Sequence, residues 1–259
     1  MAEDRPVAEG RIWLLSGTGE GPPLASQLLQ RGWQLRVSVV SNAAARAYAN
    51  HPQLECCVGA LGDAASLRQA LAAWPCRWVI DATHPFAQQI SRSLDQVCPQ
   101  LNQPLLRLIR PQLPLAGAKL LAGLEQLGSA TSPEQPLLLA IGARALAKAL
   151  THSRSSEPAA RLLPNPENLR LALSLGLAPE RIALLRPGGD GRLEAALCRR
   201  WRINSVLCRQ SGGSTESLWR KVCESLGLQL LLLARPEDPA PSRCLPLEEL
   251  LRRVGAGSA

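Results

Sequence analysis

With 259 residues the chain is long enough for one large domain or two small ones, each with its own buried core. Its 29 basic and 21 acidic side chains leave a net charge of +8, carried mostly by scattered Arg, beside six Trp but one Phe and one Tyr. This pattern argues against a nucleic-acid arm or a base-stacking platform and suits an anionic small molecule. No apolar run reaches membrane-spanning length and no apolar stretch follows the charged start. Eight Cys without a C-x-x-C pair and only three His point away from a metal site, toward reduced thiols in the cytoplasm.

Residues 1–10 read as a flexible N-terminal tail. Strands are then expected at 11–15, 34–40, 54–58, 78–81 and 105–109, with helices beginning near Pro22, Ala43, Ala64 and Phe86. That alternation predicts a parallel, doubly wound sheet over 11–113, joined by right-handed helical crossovers. Prolines at 111, 114, 133 and 136 punctuate a stretch read as a linker over 114–136, with a short strand at 119–121. The alternation resumes over 137–254, with strands at 137–141, 181–185, 205–208 and 228–234. A helix is expected over 166–175 behind an Asn165 N-cap, the Ser-rich stretch 152–158 as an exposed loop, and 255–259 as a tail.

The expected fold class is therefore α/β, with two Rossmann-like parallel-sheet halves and a cleft between them, where strand C-termini present ligands. The halves look like an internal duplication. Residues 77–111 align without a gap on 202–236, placing Thr83-His84-Pro85-Phe86 over Cys208-Arg209-Gln210-Ser211.

The first strand runs into Gly17-Thr18-Gly19-Glu20-Gly21-Pro22. Glycines at a first strand-to-helix turn let the backbone approach a phosphate, and the helix N-terminus behind them favours an anion. After the second strand, Ser41 and Arg46 stand where NAD-preferring folds carry a carboxylate. A hydroxyl and a guanidinium there suit the 2′-phosphate of NADP(H). Thr83 and His84 follow the fourth strand, and Pro85 holds that loop extended. A neutral His there can hydrogen-bond a cofactor or substrate, or give a proton.

In the second half, Ser211-Gly212-Gly213 forms a small-residue turn before a helix, with Arg209 beside it. Arg144 and Arg186 occupy corresponding strand ends. Three arginines and a glycine turn at one sheet edge suit a substrate bearing several carboxylates.

Taken together, these motifs resemble the precorrin-6A reductase family of cobalamin biosynthesis. The resemblance rests on Gly17-Thr18-Gly19-Glu20, Ser41 and Arg46, Asp81-Ala82-Thr83-His84-Pro85-Phe86-Ala87, Gly142 to Arg144, and Ser211-Gly212-Gly213. The chain departs from the family at Ser16, where a second glycine is usual, and at Arg209, where a lysine is common. The resemblance implies an NADPH-dependent oxidoreductase acting on a CH–CH group, which reduces a ring double bond of (cobalt-)precorrin-6A to (cobalt-)precorrin-6B. It implies cofactor contacts at Gly17, Thr18, Gly19, Glu20, Ser41, Arg46, Gly59, Thr83, His84 and Pro85, with His84 as the candidate catalytic residue. The anionic tetrapyrrole would be held by Arg144, Arg186, Arg209, Ser211, Gly212 and Gly213, and neighbouring enzymes of the pathway are candidate partners. The alternatives are an NADP-dependent reductase of another anionic substrate and a non-catalytic NADP(H)-binding module.

Overall fold

A computed structural model of the chain describes residues 10–257, apart from Gly62, Pro187, Pro239 and the side chain of Ser242. The expected N-terminal tail thus lies almost wholly outside the described residues. The chain divides into two compact units: residues up to Pro111 together with those from Pro236 onward, and Gln112–Arg235.

The first unit opens with β1 (Arg11–Ser16), α1 (Gly21–Gln30), β2 (Gln34–Val39), the short α2 (Asn42–Ala45) and β3 (Leu54–Val58). It continues through α3 (Ala64–Ala73), β4 (Trp78–Ala82), α4 (Gln88–Gln100) and β5 (Leu105–Leu108). Successive side chains of a strand point to opposite faces, so a strand covered on both sides is apolar throughout. β1 behaves this way. Ile12 and Leu14 pack with Leu24, Ala25 and Leu28 of α1, whereas Trp13 and Leu15 pack with Leu67, Leu71 and Leu94 of α3 and α4. Each fully buried Leu contributes about 1.5–3 kcal/mol.

The second unit holds β6 (Lys119–Leu121), α5 (Leu127–Ala130), β7 (Leu137–Ala140), α6 (Ala143–His152) and β8 (Pro158–Leu162). Then come α7 (Pro166–Ser174), β9 (Ile182–Leu184), α8 (Arg192–Arg200), β10 (Ser205–Arg209), α9 (Ser214–Leu226) and β11 (Gln229–Leu233). Asn165 caps α7 as expected, its side chain accepting from the Asn168 amide at 3.0 Å, with Pro166 in the first turn. The expected linker 114–136 is instead part of this unit, because Leu121, Leu124, Leu127 and Ala130 are buried in its core. β8 was not anticipated; its Pro158-Ala159-Ala160-Arg161-Leu162 run carries too little β-branched or aromatic character to announce a strand.

The chain after β11 returns to the first unit as β12 (Cys244–Leu245) and α10 (Leu247–Val254). The second unit therefore ends at Arg235, short of the expected 254. Leu250, Leu251 and Val254 are buried in the first unit's core, beside β5 and β12, and that apolar face decides where the segment belongs. The described residues of the expected 255–259 tail are tied down: Trp33 Nε1 donates to the Gly255 carbonyl at 3.1 Å and the Gly257 amide to Arg31 O at 2.9 Å.

Both sheets are parallel and six-stranded, ordered β12-β5-β4-β1-β2-β3 and β6-β11-β10-β7-β8-β9. The orders coincide element by element, as a duplication requires. The sixth strand of each sheet comes from the segment that follows the fifth strand of the other, so the two copies exchange their edges along the chain. The pairing also corrects the gap-free alignment. Arg107 pairs with Asp81 and Leu232 with Cys208, so Asp81 corresponds to Cys208, two positions from the ungapped match. Thr83 and His84 therefore fall on Gln210 and Ser211 rather than on Cys208 and Arg209.

Candidate functional site

The strand order reverses between β1 and β4 in one sheet and between β7 and β10 in the other. Ligands of open α/β sheets bind outside the strand C-termini at such a switch point. Gly17, Thr18 and Gly19 follow β1 at this place. A Cβ on Gly17 or Gly19 would meet no atom within 4 Å, so the turn is open to a group approaching its backbone. Gly21 is different: a Cβ there would collide with the Ser16 hydroxyl and the Tyr48 hydroxyl and lie 2.9 Å from Ser16 Cβ. Its missing side chain lets α1 pack onto the end of β1.

The helix N-terminus expected to favour an anion offers it few amides. Gly21 N donates to Thr18 O at 3.2 Å, and Pro22 and Pro23 have no N–H at all. The prolines preset the helix start but leave the anion to the turn amides and to the helix dipole. Glu20 is tied to Arg110, 2.6 Å away, so its carboxylate braces the turn instead of facing a phosphate. Thr18 Oγ1 donates to Ala82 O at 3.4 Å, joining the β1 turn to the end of β4.

The loop after β4 is organised by Asp81, which is 2% exposed. Its Oδ1 accepts from the Thr83 amide at 2.9 Å and from Thr83 Oγ1 at 2.6 Å, and its Oδ2 accepts from Ser91 Oγ at 2.6 Å. Arg107 Nε lies 3.8 Å from the same Oδ2. His84 Nδ1 accepts from the Phe86 amide at 3.2 Å, and its ring stands 5.7 Å from that of Phe86. An accepting Nδ1 leaves the proton of the neutral ring on Nε2. Pro85 borders a cavity of about 190 Å³ together with Gln88, Ser91, Arg92, Arg107 and Asp238.

At the end of β2, the Ser41 hydroxyl accepts from the Ala44 amide at 3.3 Å and caps α2, while Arg46 closes that helix and is exposed. Gly59, after β3, has φ +144, which favours glycine, and its amide donates to Val39 O at 2.9 Å. Exposed Val40 and Val58 flank it at the strand ends.

The second unit brings together only part of the expected set. Arg209 reaches to 3.9 Å from where a Gly142 Cβ would stand, and burial, followed by the nearby Arg144 guanidinium, lowers its pKa. Arg186 lies at the end of β9, with β8 intervening before β7. Gly212 offers no free amide, because its N–H donates to Glu216 Oε2 at 2.7 Å and Glu216 is buried and paired with Arg220. Ser211 is buried and Gly213 precedes α9, whose 13 residues direct a dipole at the turn. Sequence reasoning missed Arg161, which is 6% exposed on β8 with Nε and one terminal nitrogen lacking a hydrogen-bond partner. It also missed Asp81, Ser91 and Arg107, although the Asp-x-Thr spacing was a usable signal for an Asp-braced turn.

Burial pushes the Cys98 and Cys223 thiols up to about 12, so neither offers a thiolate for chemistry. Among the described residues no group of three or more His, Cys, Asp or Glu is placed to hold a metal ion. No helix among them is long and apolar enough to cross a membrane.

Comparison with known proteins bears on this geometry. The family model described as precorrin-6x reductase CbiJ/CobK matches residues 11–255. A cobalt-precorrin-6A reductase of Synechocystis sp. is 32% identical over 87% of this chain and 88% of its own length. A precorrin-6A reductase of Rhodococcus erythropolis is 30% identical over 88% and 90%, respectively. A solved structure titled CobK precorrin-6A reductase superposes with a TM-score of 0.74 at 27% identity, covering 95% of this chain and 97% of that one.

Proposed function

From the premise that the chain belongs to the precorrin-6x reductase family, we propose that it reduces a ring double bond of precorrin-6A with NADPH. Family membership makes it an oxidoreductase of cobalamin biosynthesis that acts on precorrin-6A, a reaction in keeping with a nicotinamide cofactor. The finer assignment, with NADPH on the first unit and substrate carboxylates on the second, is our own reading. The observation that carries it is the open Gly17–Gly19 turn at the β1/β4 switch point, beside a loop fixed by a buried Asp.

The residues fit a dinucleotide. The unobstructed turn accepts a diphosphate against its backbone, and exposed Val40 and Val58 offer apolar surface for an adenine. Arg46 is free to swing toward a 2′-phosphate, and Ser41 keeps its hydroxyl hydrogen to donate while it caps α2. When bound, the reduced nicotinamide supplies the hydride. The chain's part is to position the reacting groups and keep them oriented. Thr83, locked by Asp81, presents a fixed backbone there, and His84 Nδ1 is held by the Phe86 amide. Solvent supplies the proton at the neighbouring ring carbon.

Two results test the reading. Arg46→Ala raises KM for NADPH about tenfold and leaves that for NADH within about twofold, because a charge-assisted pair to one phosphate is lost. An equal effect on both coenzymes removes Arg46 from the 2′-phosphate. Arg209→Gln raises KM for the tetrapyrrole about tenfold with NADPH affinity unchanged. Weaker NADPH binding in that variant contradicts the division of labour between the units.

A further inference from the structure

Asp238 lies on the segment between β11 and β12, and its carboxylate accepts from Arg107 Nη1 at 2.8 Å. The Ala240 amide donates to its Oδ1 at 3.2 Å, which fixes the acid on its own turn. Arg107 is thus shared unequally between two carboxylates, 2.8 Å from Asp238 and 3.8 Å from Asp81. All three side chains are largely buried, at 14%, 22% and 3% exposure for Arg107, Asp238 and Asp81. Attraction between such charges is weakly screened, so the guanidinium moves to whichever carboxylate is left to it.

Asp81 has little acceptor capacity to spare for that move, since of a carboxylate's roughly four acceptor sites only one, on Oδ2, is left. Thr83 uses its Oδ1 twice and Ser91 uses its Oδ2 at 2.6 Å. A guanidinium drawn fully onto Oδ2 would compete with Ser91 and turn the carboxylate away from Thr83. The neighbouring ion pair does not replace Asp238: Arg243 is engaged with Asp95 at 3.2 Å. Burial raises the Asp95 pKa, with Arg243 opposing that shift.

We propose that Asp238 is a positioning residue for the reaction: by holding Arg107 off Asp81, it keeps the Thr83-His84 loop in its working conformation. The inference rests on the assignment of that loop to the cofactor side. Its structural half, however, is measurable without any ligand. Asp238 touches neither cofactor nor substrate in this account and acts only through Arg107 and Asp81.

Asp238→Asn and Asp238→Glu separate the charge from the packing. Amide hydrogen exchange of the ligand-free full chain is compared with steady-state NADPH oxidation by precorrin-6A. In Asp238→Asn the peptide spanning Thr83 to Ser91 exchanges about tenfold faster, while those of β1, β2 and the second unit match wild type. The kcat falls about tenfold with KM for the tetrapyrrole within about twofold, and Asp238→Glu recovers both readouts. A simple loss of stability would accelerate exchange throughout the first unit and would not be repaired by the longer acid. Wild-type exchange at Thr83 to Ser91 in Asp238→Asn overturns the proposal. If wild type itself fails to oxidise NADPH, the functional assignment falls while the exchange comparison still decides the role of Asp238.

Discussion

Asp81→Ala is expected to lower kcat about a hundredfold and stability by about 2–3 kcal/mol. The carboxylate is the common acceptor for the Thr83 amide, the Thr83 hydroxyl and the Ser91 hydroxyl, and Arg107 stands beside it. Alanine removes the acceptor of both Thr83 donors and leaves the Ser91 hydroxyl, 3% exposed, with only its 3.4 Å contact to Ala87 O, and each unmet buried donor costs about 1–3 kcal/mol. Part of the charge imbalance is absorbed, because Arg107 keeps Asp238. The loop, however, loses the contact that fixes Thr83. Urea denaturation and NADPH oxidation measured on the same preparation check both halves. Asp81→Asn, which keeps one acceptor oxygen for Thr83, restores most of the stability and less of the rate. An Asp81→Ala enzyme with near-wild-type turnover would show that the loop needs no internal brace.

Alanine at Gly21 is expected to act through packing rather than through a ligand contact. Its Cβ would overlap the Ser16 and Tyr48 hydroxyls, so the start of α1 must move away from the end of β1. Overpacking of this kind costs about 1–3 kcal/mol. It also shifts the turn amides and weakens NADPH about tenfold or more. The same change at Gly17 or Gly19 meets open space, so the melting temperature stays within a degree or so of wild type while NADPH affinity drops. Calorimetry beside fluorescence titration separates the two cases. A Gly17→Ala protein that binds NADPH as tightly as wild type would mean that the diphosphate does not approach this turn.

Much of the architecture was legible because strands buried on both faces advertise themselves: Leu137, Leu138 and Leu139 of β7 supply opposite sides of one sheet. The short edge strand expected at 119–121 is β6, although its place in the sheet was not foreseen. What stayed hidden was β12, whose two residues are too few for any periodicity to register. The exchange of these edges between sheets depends on which core receives Leu250 and Leu251, which local pattern does not encode. The site followed the same rule. Gly17, Thr83 and His84 stand out in the sequence because local turn chemistry marks them, and the missing N–H groups of Pro22 and Pro23 are equally visible there. The Arg107–Asp238 pair joins distant positions that the fold alone brings together. The commitment of the Gly212 amide to Glu216 spans one helical turn, but it needs the buried rotamer of Glu216, and that comes only with the packed helix.

The most direct measurement of the central claim is single-turnover oxidation of NADPH by the purified chain with precorrin-6A, metal-free and cobalt-bearing, against NADH under identical conditions. The account predicts stoichiometric NADPH consumption with at least one form of the ring, reduction of one ring double bond, and much slower reaction with NADH. Tight NADPH binding with no oxidation by either form would contradict it.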